Sequence, residues 1–515
     1  MGVFLAAAPS LVLADQVRLY SPDGTTSITG ELLSFDEDIY ILETVIGTVQ
    51  LSRTMALCEG QACPPAVTGV ELSMATTGPE TSALLQELLS GFAATQNMTA
   101  TATDEAGDED GDENDLENGQ TGVQLALVDD ATSQQSARAA IMTNPSAAGV
   151  AALAAGRIDL YLSATPAAAY AAAGTGLPVQ SVERVVALDA LVPIVHPSNP
   201  VGSISLDSLA QIAAGRIQNW SELGGVDAPI RMVLPPEGSA LDLSVAQLIL
   251  DPNRVRLRGS TERAESEAQA AGAVLGDVNA ISVTSLSGRG EAQVLPILQS
   301  CGPLAHASAF AIKAEEYPLS HRIYAHTATD RLTPLKAGFL DYISSPDAQD
   351  LIETSRYVSQ SIATEPVGIQ GARMTAAILS ANSAEALASI QNFAREVAQA
   401  DRLSTTFRFT SASSDLDSKS QSDLQRVVSY LTSEAAGGRE ILVVGFSDDV
   451  GRFDLNERLA LLRATSVRDA LVAASGGAAL ADRISTSAYG PLAPVGCNDT
   501  PKGRESNRRV EVWLR

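Results

Sequence analysis

The stretch Ile441–Leu471, ILVVGFSDDVGRFDLNERLALLRATSVRDAL, decides the fold of the C-terminal part of this chain. Its four leading apolar residues, followed by Gly445, are typical of a buried strand that ends in a loop. Beyond the loop, apolar residues recur at spacings of three to five, which predicts a helix with a core-facing stripe. The stripe consists of Leu455, Leu459, Leu462, Val467 and Leu471. The closing residues 507–514, NRRVEVWL, alternate like a half-buried strand, so we expect a C-terminal α/β domain over 404–515.

Two motifs of this region resemble the signatures of the OmpA-like family of peptidoglycan-binding domains. GFSDDVGRFDLNERLALLRATSVRDAL resembles the first signature, and AYGPLAPVGCNDTPKGRESNRRVEVWL resembles the second. The family binds diaminopimelate of peptidoglycan stem peptides, whose side chain ends in an ammonium and a carboxylate. The resemblance implies that Asp448 binds the ammonium and Arg463 the carboxylate, because an arginine fork can hold a carboxylate bidentately. It further implies that Asn456 orders the loop and that Arg508 and Arg509 are the closing pair.

Three positions depart from the family pattern. Phe446 replaces a histidine, Ser447 replaces a threonine, and Ala460 replaces a serine. The two charged contacts survive, so the resemblance implies a change in affinity more than in specificity. The alternative interpretation is that Asp448 only caps the helix and that Arg463 is a solvated surface residue.

The central residues 67–365 alternate strands with Ala/Leu-rich helices, which indicates α/β organisation. Residues 203–225, SISLDSLAQIAAGRIQNWSELGG, and 189–200, DALVPIVHPSNP, resemble the phosphate-binding type of periplasmic solute-binding proteins. The resemblance implies a two-lobed periplasmic-binding-protein fold with a ligand cleft between the lobes. The predicted fold class is therefore α/β multidomain.

The ligand positions of that family are only partly kept. Its members hold a tetrahedral anion with hydroxyls, an arginine and helix N-terminal amides, whose dipole end is positive. The matching candidates are Thr76, Thr77, Asp159, Ser163, Gly238 and Ser239. The family's arginine positions carry Ala164, Pro235 and Asp242 instead. We therefore expect an altered or lost ligand rather than orthophosphate, and the hydroxyls could serve as ordinary helix caps.

The remaining segments complete the predicted domain plan. Residues 1–14 contain an apolar run typical of a signal peptide, but no basic residues precede it, so either its start is truncated or this interpretation is wrong. Residues 15–65 predict a small β-module closed by a Cys58–Cys63 disulfide, which suits an oxidising compartment; two unpaired thiols or half of a metal site are the alternatives. Cys301 and Cys497 fall in different predicted domains and are interpreted as free thiols. Residues 366–403 predict a helical linker.

Composition excludes several function classes. A formal net charge of −27 argues against nucleic-acid and anionic-membrane partners. The acidic segment 103–122 favours a solvated insertion over a calcium loop, because its glycine lies at the wrong position. The four histidines are scattered, no catalytic or metal motif is found, and no cofactor is expected. No later apolar stretch is long enough for a membrane-spanning helix.

The sequence thus predicts a non-enzymatic binding protein of the periplasm, associated with the cell wall and outer membrane. Its expected partners are peptidoglycan and a small anionic solute. The alternative is a structural envelope protein whose central domain is a non-binding scaffold or a platform for protein partners.

Overall fold

The structure is a computed structural model in which part of the chain is described. The described residues are 16–20, 26–36, 39–52, 56–59, 63, 72–102, 122–129, 135–143, 146–178, 180–329, 332–381, 383–409 and 418–515. The predicted signal peptide and, apart from its last residue, the acidic insertion lie outside them. Within these ranges, no helix combines the length and apolarity needed to cross a bilayer.

The N-terminal residues form a small antiparallel sheet in the order β4-β3-β2-β1-β5. Its strands are β1 (Gln16–Tyr20), β2 (Ser27–Asp36), β3 (Ile39–Thr44), β4 (Gly47–Ser52) and β5 (Leu57–Glu59). Alternating side chains such as Val17 and Leu19 are buried, as expected for a sheet with one covered face. The predicted Cys58–Cys63 disulfide is confirmed and packs against this core.

The central region is a mixed sheet flanked by helices. Its strands are β6 (Leu72–Thr76), β7 (Met98–Ala102), β8 (Gly122–Asp129), β9 (Gln135–Thr143), β10 (Leu160–Ser163), β11 (Ser181–Val195), β12 (Arg231–Leu234), β13 (Glu262–Arg263), β14 (Ala280–Ser285), β15 (Gln293–Val294), β16 (Ile297–Leu298), β17 (Leu304–Ala305) and β18 (Ser320–Ala328). Its helices are α1 (Pro79–Thr95), α2 (Ser146–Ala154), α3 (Ala167–Ala172), α4 (Leu206–Ala213), α5 (Ala240–Val245), α6 (Glu267–Leu275), α7 (Ala309–Lys313), α8 (Pro334–Tyr342) and α9 (Pro346–Thr354). A 3-10 turn (Trp220–Leu223) and a π turn (Ala246–Leu250) complete it.

The two largest hydrophobic cores of this region divide it into lobes. The main sheet runs in the order β13-β12-β14-β11-β18-β10-β6-β9-β8-β7. The first lobe is built around α1, α8, α9 and the β6 side of the sheet, and the second around α4, α6 and the β14 side. Strand β11 crosses between them: its first part pairs with β18 and its last residues pair with β14. The carboxyl ends of β6, β10 and β14 therefore all point toward the boundary between the lobes.

The C-terminal region is a second α/β unit with sheet order β19-β20-β23-β21-β22. Its strands are β19 (Thr364–Pro366), β20 (Asp401–Arg408), β21 (Ile441–Gly445), β22 (Ile484–Ala488) and β23 (Arg509–Leu514). Its helices are α10 (Gly371–Ser380), α11 (Ala384–Glu396), α12 (Ser418–Thr432), α13 (Phe453–Ala474), α14 (Ala478–Ala481) and α15 (Pro501–Asn507). Short 3-10 turns occur at Val367–Gln370 and Glu434–Ala436.

The predicted helix is present as α13, but the predicted apolar stripe is wrong in its first half. Leu455 and Leu462 are more than half exposed. The buried face is instead Asn456, Ala460, Arg463, Ala464, Val467 and Leu471. Because positions seven apart lie on one face of a helix, a stripe begun at Asn456 reaches Arg463, and the polar side chains occupy the face turned toward the sheet.

The segment predicted as a helical linker is part of the C-terminal unit. Helices α10 and α11 pack on one face of its sheet, where Phe393 contacts Phe446 and Trp513 with ring centroids 5.5 and 6.0 Å apart. Ile390 and Ala377 are buried in the same cluster. The sequence suggested a spacer because it shows helices without strands, but the apolar face of α11 needs a partner and finds it here.

The second lobe and the C-terminal unit are joined covalently. Cys301 and Cys497, interpreted from the sequence as free thiols, form a disulfide across 196 residues of chain. The same two units are also joined by an ion pair between Arg402 and Glu316. Arg408 lies with Nε 3.1 Å from Glu315 and donates hydrogen bonds to the carbonyls of Ala314 and Glu315. We call this set of contacts the interdomain clamp.

Candidate functional site

The loop between β21 and α13 is held by a close approach of backbones. A Cβ atom at Gly445 would lie 2.0 Å from the carbonyl oxygen of Ala460, so only glycine lets the strand end this close to the helix. Asn456, one turn into α13, donates from Nδ2 to the carbonyl oxygens of Asp448 (3.3 Å) and Val450 (3.1 Å). The loop that carries Asp448 is therefore fastened to the helix that carries Arg463.

Asp448 forms an ion pair with one arginine and lies near a second. Its Oδ2 accepts a 2.8 Å hydrogen bond from Nη1 of Arg508, and both side chains are less than a fifth exposed. Burial lowers the pKa of Arg463, the neighbouring charge of Arg508 lowers it further, and Asp448 opposes both effects. One carboxylate and two guanidinium groups thus share a small volume, which gives the cluster a net positive charge in a strongly acidic chain.

The alternative roles, Asp448 as a helix cap and Arg463 as a solvated surface residue, do not agree with the positions of these side chains. Asp448 accepts from the amide of Val450 (3.2 Å) within the loop, whereas the N-cap of α13 is Arg452. Arg463 is fully buried, and its guanidinium lies 5.2 Å from the ring centroid of Phe409. This contact is a cation–π interaction, which orients the planar group. Phe409 is a member of the site that the sequence motifs did not indicate.

Arg509 is not brought to this cluster, although the resemblance implied a pair with Arg508. Successive strand residues face opposite sides of a sheet, so Arg509 lies on the face covered by α11. There it contacts Glu511 (2.7 Å) and lies 4.1 Å from the ring centroid of Phe446. Phe446 is fully buried on that same face. The replacement of the family's histidine by Phe446 therefore belongs to the packing of α11 and not to the candidate site.

In the first lobe, Thr76, Thr77 and Ser163 lie together at the carboxyl ends of the parallel strands β6 and β10. Thr76 and Ser163 are fully buried. Thr76 donates to the carbonyl of Gly78 (3.0 Å), and the Ser163 hydroxyl lies 3.0 Å from the Tyr170 hydroxyl and 3.4 Å from Nε2 of His326. These two hydroxyls are engaged within the protein.

Asp159 is not brought to these residues. It precedes β10, at the end of the strand opposite to Ser163. Its carboxylate accepts from Nζ of Lys336 (2.7 Å) and from the amide of Ser73 (2.9 Å). The structure therefore gives it contacts that hold the sheet to α8.

In the second lobe, the Gly238–Ser239 loop follows β12, and a carboxylate of the chain itself lies against it. Gly238, at φ +74°, donates its amide to Oδ2 of Asp242 (3.0 Å). Oδ1 of Asp242 lies 2.6 Å from Nη1 of Arg263. Ser239 caps α5 by accepting from the amide of Asp242 (3.1 Å). The Asp242 carboxylate thus occupies the hydrogen-bond donors that an anionic ligand would need. Arg263 is a nearby cation that the sequence motifs did not indicate.

Comparison with known proteins agrees with these two folds. A family described as PBP superfamily domain matches residues 62–347, which is more than half of the chain. The chain belongs to the PBP superfamily. Residues 408–508 match a second family, the OmpA family. The two resemblances noted in the sequence are thereby confirmed.

Individual relatives match only part of the chain. Residues of this protein are 43% identical over 72 residues to the probable lipoprotein YiaD of Escherichia coli (strain K12), covering 14% of this chain and 32% of YiaD. They are 30% identical over 178 residues to the phosphate-binding protein PstS of Bacillus subtilis (strain 168), covering 34% and 56%. The peptidoglycan-binding protein ArfA of Mycobacterium tuberculosis (strain ATCC 25618 / H37Rv) is 38% identical over 89 residues, covering 17% and 26%. The chain thus spans between about a quarter and about half of the length of these relatives.

Proposed function

We propose that this PBP superfamily protein is a cell-envelope protein that binds peptidoglycan through its OmpA family domain. Asp448 binds the ammonium and Arg463 the carboxylate at the end of the diaminopimelate side chain. Arg508 places Asp448, and Asn456 fixes the loop between them. The names of YiaD and ArfA, a lipoprotein and a peptidoglycan-binding protein, support an envelope location and this ligand.

The observation that carries the proposal is the largely buried ion pair of Asp448 with Arg508 near the buried guanidinium of Arg463. A ligand end with an ammonium and a carboxylate on one carbon needs an anion and a cation within a few ångströms. Arg463 is well suited to the carboxylate, because its planar fork is oriented by Phe409 and arginine holds carboxylates in a bidentate manner. The same cluster offers little to a simple cation, since cations outnumber the anion.

The direct test is sedimentation of the full chain with purified peptidoglycan sacculi. Asp448→Asn should sediment far less than the parent, because the ammonium loses its counter-charge while the shape of the side chain is kept. Asp449→Asn is the matched control: its neighbouring side chain is exposed, and the charge change is identical. If both variants sediment with the sacculi as much as the parent does, the proposal is wrong. Circular dichroism checks that both variants are folded.

For the PBP superfamily domain we propose a solute-binding role with a ligand other than orthophosphate. Asp242 already lies against the amide of Gly238 and the guanidinium of Arg263, so an inorganic anion would have to displace it. The second candidate is a non-binding scaffold or partner platform, and the internal hydrogen bonds of Thr76 and Ser163 favour it. A solute that raises the melting temperature of the full chain decides for the first candidate, because a ligand of the folded state stabilises it. Absence of catalysis stays a prediction.

A further inference from the structure

A cavity of about 450 Å³ lies between the loop after β14, helix α7 and the segment after α9. This volume lies in the range of about 300–1,000 Å³ that is usual for small-molecule sites. None of the candidate ligand residues of the first-lobe strand ends or of the Gly238 loop lines it. The cavity is therefore separate from the positions at which the phosphate-binding resemblance located a ligand.

The cavity joins the two lobes. Tyr357 in its wall belongs to the core of the first lobe, whereas Leu286 packs on the core of the second. Arg356 adopts φ +71°, a left-handed conformation that is uncommon for a side chain of its size and marks a constrained turn. A molecule in this cavity would contact both lobes at once.

Charged side chains of both signs line the cavity. Lys313 is 6% exposed, and its Nζ donates to Oγ of Ser359 (3.1 Å) and lies 3.9 Å from the Glu353 carboxylate. The remaining charges are Arg289, Arg356 and Glu291. Among the described residues, the guanidinium of Arg356 and the carboxylate of Glu291 have no hydrogen bond or ion pair, and Arg289 donates to the carbonyl of Ala292 (3.0 Å). Positively and negatively charged side chains of the cavity wall are thus both available to bind a ligand.

We propose that this cavity binds a small zwitterionic solute of the amino-acid type. The ligand carboxylate pairs with Arg356 and Arg289, and its ammonium pairs with Glu291 and Glu353. A plain anion would meet two carboxylates and a plain cation would meet three basic groups, so a ligand with both charges fits the lining best. This inference rests on the proposed solute-binding role of the PBP superfamily domain and names its site and ligand class.

The experiment titrates the full chain with L-alanine, L-glutamate and L-lysine by calorimetry. Succinate and putrescine are the probes that carry charges of one sign only. All titrations use the Asp448→Asn background, so that heat from the proposed diaminopimelate site is removed. Binding of at least one amino acid, with at least tenfold weaker binding of succinate and putrescine, is the expected result.

Two variants locate the site. Arg356→Gln and Glu291→Gln should each weaken amino-acid binding tenfold or more, and both side chains are exposed enough to be replaced without loss of folding. Arg256→Gln is the control, because this exposed arginine of the second lobe does not line the cavity. No binding of any amino acid, or succinate binding as tightly as the amino acids, overturns the ligand class. Binding unchanged in both variants overturns the site but leaves a solute-binding domain, so the two failures are distinguishable.

Discussion

Replacing Asp242 with alanine should convert the Gly238 loop into an anion site. In the parent, the Asp242 carboxylate accepts from the Gly238 amide at 3.0 Å and contacts Arg263 at 2.6 Å, with both charged side chains less than a quarter exposed. Orthophosphate must displace this carboxylate and is repelled by its charge. In Asp242→Ala the amide and the guanidinium are released, while Ser239 can still cap α5.

The magnitude follows from the two hydrogen bonds. A hydrogen bond to a charged group contributes about 1.5–3 kcal/mol, so two of them correspond to about 3–6 kcal/mol. At about 1.4 kcal/mol per tenfold change, orthophosphate should bind roughly 10² to 10⁴ times more tightly to the variant. If the parent Kd is about 10 mM, the variant Kd should fall to between about 1 and 100 μM.

Equilibrium dialysis with radiolabelled orthophosphate measures both chains. Asp251→Ala is the control, because this exposed aspartate of the second lobe changes the net charge equally without touching the loop. Two results would refute the reasoning: submicromolar binding by the parent, or no difference between Asp242→Ala and Asp251→Ala. The first would mean that the carboxylate is not a competitor, and the second that the loop is not an anion site at all.

Three further predictions concern the C-terminal unit and the interdomain clamp. Arg463→Lys should lower sacculus binding of the full chain at least about tenfold with little change in melting temperature, because lysine keeps the charge but loses the planar fork. Arg463→Ala should lower both sacculus binding and the melting temperature, since truncating a large buried side chain costs about 2–5 kcal/mol. Changing Cys301 and Cys497 together to serine should lower the free energy of unfolding by about 2–4 kcal/mol in denaturant titrations, and reductant should then lower it less in that variant than in the parent, because only the Cys58–Cys63 disulfide is left to reduce. Burial would raise the pKa of Glu315, but Arg322, Lys419 and Arg408 outweigh it and hold the pKa well below its usual value. The ionised Glu315 carboxylate therefore contributes fully to stability above the unfolded-state pKa of about 4.3, and this contribution is lost as the pH falls further. The melting temperature of the parent should be steady near pH 6 and drop below about pH 4, and the drop should be less steep in Glu315→Gln.

Motifs with fixed spacing were predictable from the sequence, whereas contacts between distant segments were not. The spacing of Asp448, Asn456 and Arg463 places all three near one loop, because seven residues are two turns of α13. The second motif indicated Arg508 as a site residue, but only the structure gives its ion pair with Asp448, and Arg509 does not share its position since the strand alternates. The buried polar residues of α13 are not predictable from apolar periodicity, because Asn456 and Arg463 interrupt the apolar pattern on the buried face.

The disulfide between Cys301 and Cys497 illustrates why contacts between distant segments could not be predicted from the sequence. Neither cysteine has a local partner, and their pairing depends on how the second lobe lies against the C-terminal unit. The same holds for Asp242, which sequence reasoning counted only as a lost arginine. Its carboxylate is the group that fills the loop, and only the three-dimensional position of Arg263 makes this evident.

The interdomain clamp restricts which lobe of this molecule can move relative to the C-terminal unit. A disulfide and buried ion pairs fasten the second lobe to the C-terminal unit, whereas the first lobe is joined to the second through the paired strands β11 and β18 and to the C-terminal unit through the segment between α9 and β19. Once the C-terminal unit is attached to a rigid polymer, the second lobe becomes the stationary half. If the proposed cavity at Arg356 opens and closes, that motion would then displace the first lobe while the second lobe stays with the C-terminal unit.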